Sequence, residues 1–142
     1  MGTRSTIGVV DENGFVKGIY CHWDGYPEHN GRILRDHYST PDKIMKLIKL
    51  GDLSSLGPEI GRKHAFSSFE VPEAKRAAYE ARTEGWCTAY GRDRGEKGTK
   101  AQKYKDIFEF IADDRGQDYS YVYVNGKWEC RNYEKKLVDI PA

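Results

Sequence analysis

The stretch Tyr119-Ser120-Tyr121-Val122-Tyr123-Val124-Asn125-Gly126-Lys127-Trp128-Glu129-Cys130-Arg131-Asn132-Tyr133 decides the fold. Two runs rich in aromatic and β-branched residues flank Asn-Gly, the pair that supplies the two positive φ angles of a type I′ turn. A two-residue turn fixes the register of the hairpin it closes. Tyr123 then faces Trp128 and Tyr121 faces Cys130, while Val122 lies opposite Glu129 and Ser120 opposite Arg131. The Tyr/Trp/Cys face is the expected core side.

The same logic applies at the other end of the chain. Ser5 to Val10 and Phe15 to Trp23 read as two strands joined by Asp11-Glu12-Asn13-Gly14, with Ile19, Cys21 and Trp23 on a core face and Tyr20 and His22 on the other. Helical patterns lie between. Ile33, Leu34, His37 and Tyr38 have helical spacing, and Thr40-Pro41-Asp42 opens a second helix with Ile44, Leu47 and Ile48 as its buried stripe and Gly51 as its stop. Pro72 to Thr83 is helical in composition, Trp86 to Tyr90 is a third strand candidate, and Leu53 to Ser68 reads as loop. Ala101 to Asp114 is expected to be a helix with Tyr104, Ile107, Phe108 and Ile111 on one face. Strands at both ends and helices between them predict a single α+β domain over 1–142, a mostly antiparallel sheet covered by helices. Residues 59–84 are a candidate insertion.

Composition narrows the classes. The 142 residues hold 23 Lys or Arg and 22 Asp or Glu, for a formal charge of +1, so bulk charge makes no case for a nucleic-acid partner. Ten Tyr, three Trp and fifteen Gly indicate aromatic packing and many tight turns. The sequence has no run long enough to span a bilayer and no signal-peptide core, which leads to the expectation of a cytoplasmic protein without a membrane partner. Cys21, Cys87 and Cys130 are widely spaced and odd in number, so buried free thiols are expected.

Two clusters carry candidate chemistry. Cys21-His22-Trp23-Asp24-Gly25-Tyr26 ends a strand in a glycine-containing loop, and on a continuing strand His22 and Asp24 share a face as an acid/base pair would; the alternative is that they hydrogen-bond the loop shut while Trp23 packs in the core. Tyr90-Gly91-Arg92-Asp93-Arg94-Gly95-Glu96 sets two arginines beside a ring, suited to phosphate or carboxylate. The alternative for that loop is internal pairing of Arg92 and Arg94 with Asp93 and Glu96. Metal-ligand spacing is absent, and neither a metal nor a cofactor is expected.

Four motifs in order, Met1-Gly2-Thr3-Arg4-Ser5, Tyr20-Cys21-His22-Trp23-Asp24-Gly25-Tyr26-Pro27, Leu50-Gly51-Asp52-Leu53-Ser54-Ser55-Leu56-Gly57 and Ala89-Tyr90-Gly91-Arg92-Asp93-Arg94-Gly95-Glu96, resemble a family of small uncharacterised bacteriophage accessory proteins. The resemblance brings no established activity. It implies an accessory role in the host bacterial cytoplasm, such as countering host defence. The residues then suggest a non-enzymatic protein that binds or sequesters a small phosphorylated, nucleotide-derived ligand. Its binding residues would be His22, Trp23, Asp24, Tyr26, Tyr90, Arg92, Arg94 and Glu96, with the two loops adjoining one pocket. The rival readings are a phosphoester or nucleotide hydrolase using His22 and Asp24, and a protein-binding inhibitor of a host enzyme. A homo-oligomer is compatible with each.

Overall fold

A computed structural model describes residues 2–142 as an α+β domain built on a mixed eight-stranded sheet. Its strands are β1 (Ser5–Val10), β2 (Val16–Cys21), β3 (Leu53–Ser55), β4 (Thr88–Ala89), β5 (Gln102–Tyr104), β6 (Tyr119–Val124), β7 (Lys127–Asn132) and β8 (Leu137–Val138). The order is β4-β3-β2-β1-β6-β7-β8, with β5 paired to β2. Only β1 with β6 and β2 with β3 run parallel, so the sheet is mostly antiparallel. The helices are α1 (Arg32–His37), α2 (Pro41–Leu50), α3 (Glu73–Thr83), α4 (Tyr90–Arg94) and α5 (Ile107–Ala112).

The C-terminal hairpin has the expected register at all four pairs, Tyr123 with Trp128, Tyr121 with Cys130, Val122 with Glu129 and Ser120 with Arg131. Asn125 and Gly126 have φ of 52° and 78°, as the type I′ turn requires. Tyr121 and Cys130 are core residues, but Val122 on the opposite face is equally buried. The reason is that β6 lies inside the sheet and has helices over both faces. On one face α1 and α2 press Leu34, Tyr38, Ile44, Leu47 and Ile48 onto Ile7, Ile19, Cys21, Leu53, Tyr121 and Cys130. Burying such aliphatic side chains stabilises by about 1.5–3 kcal/mol each. On the other face α5 presses Phe110 and Ile111 onto Val16, Tyr104 and Val122.

Four expectations need correction. Residues 101–114 are not one helix: 102–104 form β5, and α5 begins only at Ile107. The Asp106 carboxylate accepts the amide of Glu109 at 2.8 Å, which caps a new helix and ends the strand. Phe108 is therefore 77% exposed, and Phe110 takes the buried position. Leu53–Ser55, read as loop, forms a strand because the end of β2 offers it a parallel edge. The Trp86 to Tyr90 strand shrinks to Thr88–Ala89, and the loop after it starts as α4, stopped by Gly95 at φ 71°. Trp23 is no core residue: β2 ends at Cys21, and Trp23 is 44% exposed with its ring against Gly2.

All three cysteines are free and buried. Burial pushes the thiol of Cys21 up to about 12 and that of Cys130 up to about 11. An acid whose folded pKa is raised binds protons the unfolded chain has released, so stability is full below the ordinary thiol value of 9.0 and falls as pH rises toward about 12. The urea midpoint should be flat from pH 7 to 8.5 and decline above about pH 9. A thiol-reactive dye should label the native protein only as fast as it unfolds.

Candidate functional site

Site geometry follows from one row of the sheet, in which Cys21 pairs with Leu53 and Leu53 with Ala89. β2 and β3 are parallel, so the chain leaving Cys21 runs on past Ser54, whose carbonyl accepts the Trp23 amide at 3.0 Å. β4 is antiparallel, so the chain leaving Ala89 runs the other way and the Tyr90 amide meets the Asp52 carbonyl at 3.2 Å. The two candidate loops therefore depart in opposite directions along the strands. Trp23, Asp24 and Tyr26 leave one end, whereas Tyr90, Arg94 and Glu96 turn back alongside Tyr20.

The first loop is held by Asn30, which the sequence pattern does not mark, and by Tyr121 of the hairpin. Asn30 is fully buried, and its amide nitrogen approaches Ser5 Oγ at 3.3 Å, Cys21 Sγ at 3.5 Å and the Trp23 carbonyl at 3.4 Å. The Tyr121 hydroxyl donates to the Gly25 carbonyl at 2.6 Å. A Cβ on Gly25 would lie 2.8 Å from the Arg4 backbone, so only glycine allows this approach. Asp24 turns with φ of 57°, which ends the strand alternation that would have aligned its carboxylate with His22. The partner of His22 Nδ1 is the Tyr20 hydroxyl at 2.9 Å.

The second loop divides into a latch and a rim. Arg92 is directed inward: Nη1 donates to the Ile60 carbonyl at 2.8 Å, Nη2 to the Cys87 carbonyl at 2.7 Å, and Nε to Asp93 at 2.9 Å. Asp93 has a fully buried side chain and also accepts the amides of Ala89 and His64. His64, from the candidate insertion, buries its ring beside Asp93 and reaches Thr88 Oγ1 at 3.3 Å. Arg92 and Asp93 thus brace 59–84 against β4. Arg94 alone faces outward, its guanidinium 4.8 Å from the Tyr90 ring centre and 4.6 Å from that of Phe66, paired with Glu96 at 2.7 Å.

A groove runs along the Tyr20 face. One compartment of about 340 Å³ is lined by Tyr20, Asp52, Tyr90, Arg94, Glu96 and Lys97 together with Gly98 and Thr99. An adjoining one of about 430 Å³ is lined by Tyr20, Gln102, Asp113, Asp114 and Arg115. Tyr20 is the shared wall. Asp52 fixes it, accepting the Tyr20 amide at 3.0 Å through one carboxylate oxygen and Arg115 at 3.0 Å through the other. The Arg115 guanidinium lies 5.5 Å from the Tyr20 ring centre. Burial raises the pKa of both Tyr20 and Tyr90, so both rings stay neutral at physiological pH and present a hydroxyl and a π face. Of the eight residues expected at a site, Tyr90, Arg94 and Glu96 line this groove and His22 touches it through Tyr20. Trp23, Asp24 and Tyr26 leave from the other end of the row, and Arg92 is consumed by the latch.

Tyr20, Asp52, Gln102, Asp113, Asp114 and Arg115 are among the lining residues that the sequence pattern does not mark as a site. Tyr20 had a signal, since alternation placed it on the His22 face; Asp52 and Arg115, 63 positions apart, had none. No known protein family, no curated protein and no solved structure matches the chain. Among the described residues no helix is long and apolar enough to cross a membrane.

Proposed function

We propose that this chain is a bacteriophage accessory protein that binds and retains a small phosphorylated, nucleotide-like ligand in the groove beside Tyr20. The observation that carries the reading is that two neutral tyrosine rings, Tyr20 and Tyr90, and the cations Arg94, Lys97 and Arg115 line two compartments sharing Tyr20, beside the carboxylates Asp52, Glu96, Asp113 and Asp114. Asp52 holds Arg115, so Arg94 and Lys97 are the cations offered to an anion. Rings offer stacking to a base, and guanidinium groups offer paired donors to phosphate oxygens. The Arg94–Glu96 pair is exposed, and exposed pairs contribute little, so a phosphate can take Glu96's place. The phage setting and a role against host defence rest on the four sequence motifs.

Retention rather than turnover is favoured because His22 is hydrogen-bonded to Tyr20 and the Asp24 backbone leaves the strand before its carboxylate can orient the imidazole. Calorimetric titration of the purified protein with a panel of nucleoside mono-, di- and cyclic phosphates tests the reading. At least one should bind, and Tyr90→Ala and Arg94→Ala should each weaken it by about tenfold or more, equivalent to about 1.4 kcal/mol. The ligand should be recovered chemically intact after denaturation. A panel with no binding, or binding unaffected by both substitutions, rejects the groove as the site.

A further inference from the structure

A second surface, on the opposite face of the sheet, has a different chemistry. Lys17 of β2, Lys46 and Lys49 of α2, and Lys100 and Lys103 in and before β5 surround a groove of about 770 Å³, with Met45, Ile48 and Ala101 on its walls and floor. Among the described residues no acidic side chain lines it. We propose that this groove docks an acidic protein segment carrying an apolar anchor residue.

The arrangement works against the fold's own stability. Lys17 and Lys103 are directly opposite in the antiparallel β2/β5 ladder, and like charges there repel. Lys46 and Lys49 are three apart on one helix and repel in the same way. Several arginines of this chain meet carboxylates, as in Arg92–Asp93, Arg94–Glu96 and Arg115–Asp52, whereas among the described residues no lysine forms an ion pair. What sets these five lysines apart is that they line one groove together, with no carboxylate among its described lining residues. A partner bearing several carboxylates relieves that repulsion and is drawn to the groove over a Debye length of about 10 Å.

The floor selects among polyanions. Met45 is half-exposed, and its flexible thioether moulds to an incoming apolar side chain. A nucleic-acid backbone would satisfy the rim and leave the floor wet; the lining holds neither an arginine fork nor an aromatic platform for a base. A small free phosphate reaches too few of the lysines and none of the floor. An acidic peptide with one leucine-like side chain uses both.

Fluorescence anisotropy on the full chain tests this with three probes: a labelled peptide of glutamates flanking one leucine, the same peptide with glycine at its centre, and a short DNA duplex. The leucine peptide should bind tightest. Loss of the leucine should weaken binding by about tenfold or more, given the area such a side chain buries. Lys46→Glu and Lys103→Glu should each reduce affinity several-fold. Lys103→Glu should at the same time leave Tm nearly unchanged, because the cross-strand attraction it gains offsets the loss of the Lys103 ammonium over the Phe15 ring at 4.3 Å. Tighter binding of the duplex assigns the surface to nucleic acid and overturns the proposal. Equal affinity for the two peptides overturns it as unselective charge attraction. Affinity unchanged by Lys103→Glu in a variant whose Tm matches the parent's overturns it because the folded variant has lost the charge and kept the partner.

Discussion

Asp93→Ala is expected to lose about 3–5 kcal/mol of folding stability, the range for removing one partner of a buried ion pair. Asp93 is the acceptor for Arg92 and for the amides of Ala89 and His64, and its side chain is fully buried. Without it the guanidinium of Arg92, only 17% exposed, keeps its two carbonyl acceptors but loses its counter-charge. Asp93→Asn, which keeps an acceptor oxygen, should cost less than the alanine change. Arg92→Ala combined with Asp93→Ala should cost less than the sum of the two single changes, since the groups act on each other. Urea unfolding gives these values, and limited proteolysis adds a local readout, because the latch holds 59–84 and cleavage there should accelerate first. An Asp93→Ala protein within 1 kcal/mol of the parent would falsify the latch. The variant also separates two roles for the loop. If Arg92 is structural, Arg92→Ala should lower stability and groove affinity together, whereas Arg94→Ala should lower affinity with stability nearly unchanged.

Sequence reading succeeded where local chemistry dictates geometry and failed where distant segments compete. The 119–133 hairpin was legible because Asn125-Gly126 determines its own turn and the turn determines the register. Helix α2 was legible because Pro41 sets its start and Ile44, Leu47 and Ile48 mark its face. Segment 101–114 misled because Tyr104 and Ile107 satisfy helical spacing while Tyr104 pairs with Val16 across β2 and β5. That pairing is non-local and leaves no mark in the window. The candidate site shows the same division. Tyr90, Arg94 and Glu96 lie within seven residues, so their grouping along one compartment is visible in the sequence. The inward turn of Arg92 depends on the carbonyls of Ile60 and Cys87, and the separation of Asp24 from Tyr90 depends on β2 and β3 being parallel while β4 is antiparallel. Neither can be read from spacing alone.

Phe110→Ala should lose about 3–5 kcal/mol, and the reason lies in two glycines across the sheet. Gly8 and Gly18 are cross-strand partners in β1 and β2, and the Phe110 ring fills the slot they leave. A Cβ on Gly18 would sit 2.3 Å from the ring's Cε1, and one on Gly8 3.0 Å from its Cζ. Gly18→Ala should therefore cost about 1–3 kcal/mol by overpacking, although alanine ordinarily favours a strand over glycine. In Phe110→Ala the same methyl enters space the ring has left, so the double variant should be no less stable than Phe110→Ala alone and the cycle should show a favourable coupling. Equal cost of Gly18→Ala in both backgrounds would remove the slot as the explanation. The slot also reaches the groove. It seats α5, after which Asp113 accepts the Tyr104 hydroxyl at 2.5 Å and Arg115 pairs with Asp52 beneath Tyr20. Weakening the seat without unfolding the protein, as Phe110→Leu should do, is expected to lower groove affinity through Arg115 while leaving the lysine-rimmed surface on the other face unaffected.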